Sequence, residues 1–351
     1  MFVICSTNGV RHKYGTAANQ ILAAVGQLGT LVDVSGLPPV QIQSKISQLA
    51  AGPACLIGGY DLIPAFVRAN PTFGLNSDDD ADIPTDAPYG ATPGVPAEEY
   101  APSRAVSRIP DGGIADAVEF LALLEYQLAA PATKTLRGSF EEAAKEFSGA
   151  LSYVHKAIPG KSPKQRLSPP SKITTPGLTG QLSGHGRFHI LLHGANFDPD
   201  WATLWGHSSA TNAPFSEGLS AQLFDLCDFR GAIVTFSSCY ATMLDVAPAV
   251  HGTRTSKNQV SLACLTHGAK VAFGSTRSNW IETQAPYDGF GPGLVAEVWR
   301  QLAKGAQAAE ALRLAKAAYL QVALSGPADD HPYALKTVLQ AQCYGHPAAT
   351  L

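Results

Sequence analysis

The chain has 351 residues, 45% hydrophobic and 15% charged, enough apolar material for one large core or two smaller ones. A formal net charge of −3 excludes a broad electrostatic pull toward nucleic acid or an anionic membrane surface, so partners must be recognised locally, in a cleft. The first residues, MFVICSTNGVRHKYG, carry no basic region leading into a long apolar stretch, and nowhere do 18 uncharged apolar residues follow one another. The sequence therefore reads as neither exported by such a signal nor membrane-spanning. Six cysteines (Cys5, Cys55, Cys227, Cys239, Cys264, Cys343) lack both C-x-x-C spacing and the density of a disulfide scaffold. They read as reduced thiols, which suits a cytoplasmic location.

Apolar runs bounded by Gly, Pro or Asn alternate with amphipathic stretches, a rhythm that predicts an α/β fold with a mostly parallel sheet. Residues 1–6, 29–35 and 54–59 read as strands, with helices over 17–28 and 40–51 between them. The span 70–102, rich in Asp, Pro, Gly and Ala, has no period and reads as a long loop ending at a short strand, 104–109. A helix is expected over 114–128, and Pro131 after it marks the boundary between a small subdomain, 1–131, and a second, 132–351. The second half opens with a strand at 135–140, a helix at 147–158 and a Pro-, Lys- and Ser-rich loop at 159–176. Three continuous apolar runs follow: RFHILLH (187–193), GAIVTF (231–236) and AKVAFG (269–274), as expected of parallel strands covered on both faces. Helices over 294–303 and 306–323 close the domain, and no internal repeat is visible.

In open α/β sheets reactive groups sit just past the carboxyl ends of strands. LLHGAN places His193 and Gly194 at one such end, and VTFSSCYA places Cys239 at another, 46 residues later, room for one crossover between adjacent parallel strands. A thiol needs a nearby imidazole to become a nucleophile, and Gly194 lets a substrate carbonyl come close to backbone N–H groups. Taken singly, a His before Gly reads as a turn with a hydrogen-bonded core histidine, and a lone Cys as an inert buried thiol. Only the pairing favours chemistry. His185 and His189, before and inside the strand, read as structural.

The two motifs together resemble the catalytic dyad of caspase-fold (clan CD) cysteine peptidases, and gingipain-type and caspase-like bacterial members are the most similar. LIGGYDLIPA (56–65), TDAPYG (85–90) and SRIP (107–110) resemble the N-terminal subdomain of gingipains in the same order. VAFGSTRSNW (271–280) resembles the strand and Trp that wall their S1 pocket, so the resemblance spans the whole chain. It implies a caspase-like three-layer fold preceded by a smaller α/β subdomain. It also implies acyl transfer, with Cys239 as nucleophile, His193 handling the leaving-group proton, and the backbone N–H groups of Gly194 and Cys239 as the oxyanion hole. No metal is required, and no third orienting acid.

The resemblance also puts a primary-specificity residue past the first strand of the second half, where Glu141, Glu142 or Glu146 would favour Arg or Lys at P1. Trp280 and Ser275 would line the same pocket, while Arg277 would instead favour a P1 Asp. The acidic run Asp78, Asp79, Asp80 and Asp82 reads first as a solvated loop, with calcium binding as the alternative. Protein or peptide substrates are expected, and an activating or inhibitory protein partner fits the family; nucleic acid and membrane do not. Two basic segments, 159–176 with Lys161, Lys164 and Arg166, and 249–260 with Arg254 and Lys257, read as exposed loops suited to control by nicking or movement. Competing readings are a silent caspase-like scaffold and an α/β-hydrolase using Ser237 or Ser238, the latter weakened by the lack of G-x-S-x-G.

Overall fold

In the first strand, β1 (Phe2–Cys5), Val3 and Cys5 enter one apolar cluster and Ile4 another, so the strand must be covered on both faces. The computed structural model describes residues 1–112, 115–160, 165–170, 181–182, 184–196, 202–209, 214–244 and 254–351. After β1, Ser6 caps α1 (Thr7–Tyr14) by accepting from the Gly9 N–H. The chain continues through α2 (Ala18–Leu28), β2 (Thr30–Asp33), α3 (Pro39–Ser47) and β3 (Ala54–Ile57), in the expected order. Residues 70–102 are not all loop, because β4 (Phe66–Ala69) pairs antiparallel with β5 (Asp82–Thr85). A four-residue strand containing Pro84 is too short to show alternation. Then come β6 (Val106–Ile109) and α4 (Ala117–Ala129), capped by Asp116.

The second half runs β7 (Gly138–Ala144), α5 (Ser148–His155), β8 (Arg166–Ser168), β9 (His185–Leu191), β10 (Thr203–Gly206) and β11 (Ser216–Ser220). It continues with α6 (Ala221–Phe224), β12 (Ile233–Phe236), α7 (Val260–Thr266), β13 (Val271–Ser275), α8 (Phe290–Ala303), α9 (Ala308–Ala323), α10 (His331–Gln340) and β14 (Ala341–Gly345). His185 belongs to β9 rather than preceding it. The elements α1, β4, β5, β8, β10, β11, α6, α7, α10 and β14 go beyond the sequence expectation.

Ten strands form one sheet in the order β2-β1-β3-β6-β14-β13-β12-β9-β7-β8. Every pairing is parallel except β13 with β14. The late strand β14 therefore joins two parallel halves that run in opposite directions, and the sheet crosses position 131 unbroken. One face is covered by α1, α2, α4 and α7, the other by α3, α5, α8, α9 and α10, giving three layers. Among the described residues no helix is long and apolar enough to cross a membrane.

Candidate active site

Strands β7, β9, β12 and β13 are mutually parallel neighbours, so their carboxyl ends open on one edge of the sheet. His193 lies two residues beyond β9 and Cys239 three beyond β12, on strands that are hydrogen-bonded to each other. Five of the six cysteines are buried, and Cys239 alone is half-exposed. The Asn279 N–H, from the end of β13, points at the Cys239 sulfur at 3.2 Å. The Ser238 hydroxyl accepts the Leu192 N–H at 3.2 Å, tying the two strand ends together. A Cβ at position 194 would stand 2.0 Å from the Cys239 carbonyl oxygen, so only glycine permits this approach.

The residue after the cysteine, Tyr240, has φ 56°, a left-handed backbone that its surroundings must hold. Its hydroxyl donates to Asp80 at 3.0 Å, and Gln259 donates to its carbonyl at 3.1 Å. Asp80 also accepts the Ser278 N–H at 2.9 Å and lies 3.5 Å from the buried Lys336 amine. A carboxylate from the first half thus braces both the turn after Cys239 and the segment after β13.

His193 exchanges two backbone hydrogen bonds with Trp205, at 2.9 and 2.8 Å, and its ring sits between Phe147 and Phe215 at 4.8 and 5.0 Å. Its Nε2 is 2.6 Å from Glu146 Oε1, and Glu146 Oε2 is 2.7 Å from His207 Nδ1. Burial alone would raise the Glu146 pKa, but the bonds from His207 and His193 outweigh it and hold the carboxyl below its usual range. Burial lowers the His193 pKa, only partly offset by Glu146. An ionised carboxylate can only accept, so the neutral His193 imidazole carries its proton on Nε2 and leaves a lone pair on Nδ1. The Cys239 thiol is pushed up by burial, opposed by the Asn279 and Gly194 N–H groups and by Lys336. Cys239 thus rests as a thiol and His193 as a neutral imidazole.

Solved structures share this architecture. The complex of Porphyromonas gingivalis RgpB pro- and mature domains superposes with a TM-score of 0.67 at 11% identity, covering 100% of this chain and 79% of that one. The Arg-specific cysteine proteinase gingipain R gives 0.64 at 12%, covering 100% and 78%, and a further protease structure 0.62 at 14%, covering 100% and 78%. The chain has the caspase-like fold of the gingipains. No family model and no curated protein sequence matches it.

Within this gingipain-like frame several expected site residues stand elsewhere. Glu141 is buried against His155, at 2.6 Å, and Ser139, and Glu142 is sealed within β7, so neither faces the cleft. Glu146 does reach it, as the partner of His193 and not as a free specificity acid. Arg277 is engaged by Asp82 at 2.9 Å and by Asp80 at 3.9 Å, which leaves its charge neutralised rather than presented to a P1 Asp. Ser275 is buried in β13, while Trp280 is half-buried with its ring edge-on to Tyr333 at 5.4 Å. The acidic run is engaged mostly within the protein. Asp78 pairs with Lys336, Asp80 with Tyr240 and Ser278, and Asp82 with Arg277, while Asp79 is exposed.

The control segments lie partly outside the described residues, at 161–164 with Lys161 and Lys164, at 171–176 and at 249–253. Within the described part Arg166 sits on edge strand β8, over the Phe140 ring, and Arg254 is buried; Lys257 is exposed as expected. A cavity of about 530 Å³ lined by Arg104, Arg313 and Gln307, among others, touches none of the four strand ends.

Proposed function

We propose that the protein is a cysteine endopeptidase of the caspase-like kind. The observation that carries the reading is the pair of adjacent parallel strands ending in His193 and Cys239, with Gly194 pressed against the Cys239 backbone. In this mechanism the Cys239 proton passes to His193 Nδ1 as sulfur attacks the scissile carbonyl carbon. The oxyanion is held by the Gly194 and Cys239 backbone N–H groups, and the imidazolium, stabilised by Glu146, returns its proton to the leaving amine. Water, deprotonated by the same imidazole, then releases the acid from the thioester. Likeness to an Arg-specific proteinase supports a basic P1, as does Arg277 being neutralised and the segment beyond Trp280 carrying Glu282 and Asp288. Labelling by an arginyl chloromethyl ketone, lost in Cys239→Ala, tests the chemistry, and peptide-library cleavage tests the P1 preference. No labelling of folded protein by arginyl or aspartyl reagents would favour a catalytically silent scaffold, and dominant P1 Asp cleavage would overturn the basic preference.

A further inference from the structure

The peptidase chemistry uses one oxygen of Glu146, through His193, and leaves the second oxygen and its partner His207 without a task. Among the described residues Glu146, His193 and His207 are the only three ligand-type side chains whose donor atoms all lie within 4.8 Å of one another. Three separate elements supply them: Glu146 follows β7, His193 follows β9 and is bridged to Trp205, and His207 follows β10 under the stacked Phe215 ring at 4.6 Å. Their side chains are 12%, 29% and 22% exposed, so the donors are fixed yet reachable from solvent.

Two imidazole nitrogens and one carboxylate form a donor set suited to zinc-class ions, with a fourth position left to water. Tetrahedral bonds of about 2.0–2.1 Å place donors about 3.3 Å apart, so the 2.6 and 2.7 Å contacts of Glu146 with the two imidazoles open slightly while the wider donor spacing, within 4.8 Å, closes around the ion. We propose that Glu146, His193 and His207 form a binding site for a divalent transition ion such as Zn²⁺, whose occupancy reversibly blocks the peptidase. The block rests on the peptidase reading of His193, whereas the site itself does not. To bind, His193 gives its Nε2 lone pair to the ion and its proton moves to Nδ1, the His207 proton moves from Nδ1 to Nε2, and nothing is oxidised or reduced. A His193 protonated on Nδ1 has no lone pair left to accept the thiol proton, so the dyad stops.

Calorimetric titration of the full-length Cys239→Ala protein with Zn²⁺ separates this site from simple thiolate capture. One Zn²⁺ per chain is expected, with affinity reduced more than tenfold by adding His207→Ala or His207→Gln, folding being checked by circular dichroism. Co²⁺ should give the intense visible absorption of a tetrahedral ion, lost in the same variants. In the parent enzyme Zn²⁺ should inhibit cleavage reversibly, and His207→Gln should need more than tenfold higher Zn²⁺ for the same inhibition. Absence of binding to Cys239→Ala, or equal binding after either His207 change, would overturn the site. Binding without peptidase activity in the parent would leave the site standing and remove the dyad, and activity without binding would do the reverse.

Discussion

Both halves of the sheet place polar side chains just beyond their parallel strands, and they use them in opposite ways. In the first half those groups are spent on one another. Asp111, after β6, takes the Tyr14 hydroxyl at 2.7 Å, the Gly59 N–H at 2.9 Å and the Lys13 amine at 2.9 Å. Asp33, at the end of β2, takes the Thr7 N–H and the Ser35 hydroxyl. Arg108 lies fully buried in a bidentate pair with Asp86 at 2.7 and 2.8 Å, its charge held firmly by that carboxylate. In the second half Cys239 and the His193 ring remain partly exposed. Shared architecture therefore does not distribute chemistry; the accessibility of strand-end groups does.

The largest expected effect tests the second half. Cys239→Ala and His193→Ala should each abolish peptide hydrolysis, by roughly 10⁶-fold in kcat, because the two act as one unit. Residual activity within about tenfold of the parent in either variant would end the assignment. The matching change in the first half is Arg108→Met, which strands Asp86 in the interior and should cost about 3–5 kcal/mol in urea unfolding while the folded fraction keeps its turnover. Lost turnover at full folding would break the contrast between the halves. Glu146→Gln keeps the shape but removes the charge that stabilises the His193 imidazolium, and kcat should fall about 10²-fold with little change in KM. An unchanged kcat would reduce Glu146 to packing.

The smallest effect concerns His189, buried in β9 with its Nδ1 3.1 Å from Thr235, and His346 beyond β14. Burial lowers their pKa values from 6.5 to about 3 and about 4. Between pH 6.5 and about 4 the unfolded chain takes protons that the folded chain refuses, so stability falls as pH drops through that window. His189→Gln should remove about 2 kcal/mol of the stability lost between pH 7 and about 4.5, read from paired urea curves. An identical pH dependence in the variant would show that His189 ionises in the folded state.

The repeated βα rhythm and the three apolar runs before His193, Cys239 and Ser275 were readable because strands covered on both faces carry few polar residues. The strand-end His and Cys were readable because such sheets present chemistry there. Glu146 was visible only as an acid near the right strand; its hydrogen bond to His193 links positions 47 residues apart, and no local pattern encodes that. His207 and Asn279 follow short or polar segments with no period. Asp80 looked like a solvated charge because its buried partner Lys336 lies in α10, more than 250 residues away. The strand β14 was missed because AQCYG is short and interrupted by Gln342 and Gly345, though every residue of it is buried.

That strand has a consequence for biogenesis. Residues 341–345 fill the slot between β6 and β13, so until they leave the ribosome each half exposes an open edge able to pair with another chain. The same late segment brings Lys336 to Asp80 and Gln340 to Asn279, two supports of the cysteine turn. Until β14 closes the sheet, the turn that carries Cys239 therefore lacks both of these supports, which delays its assembly in a nascent chain. Ribosome-bound chains stalled with residues 341–345 still inside the exit tunnel should fail to react with an arginyl chloromethyl ketone, and labelling at that stage would refute the delay.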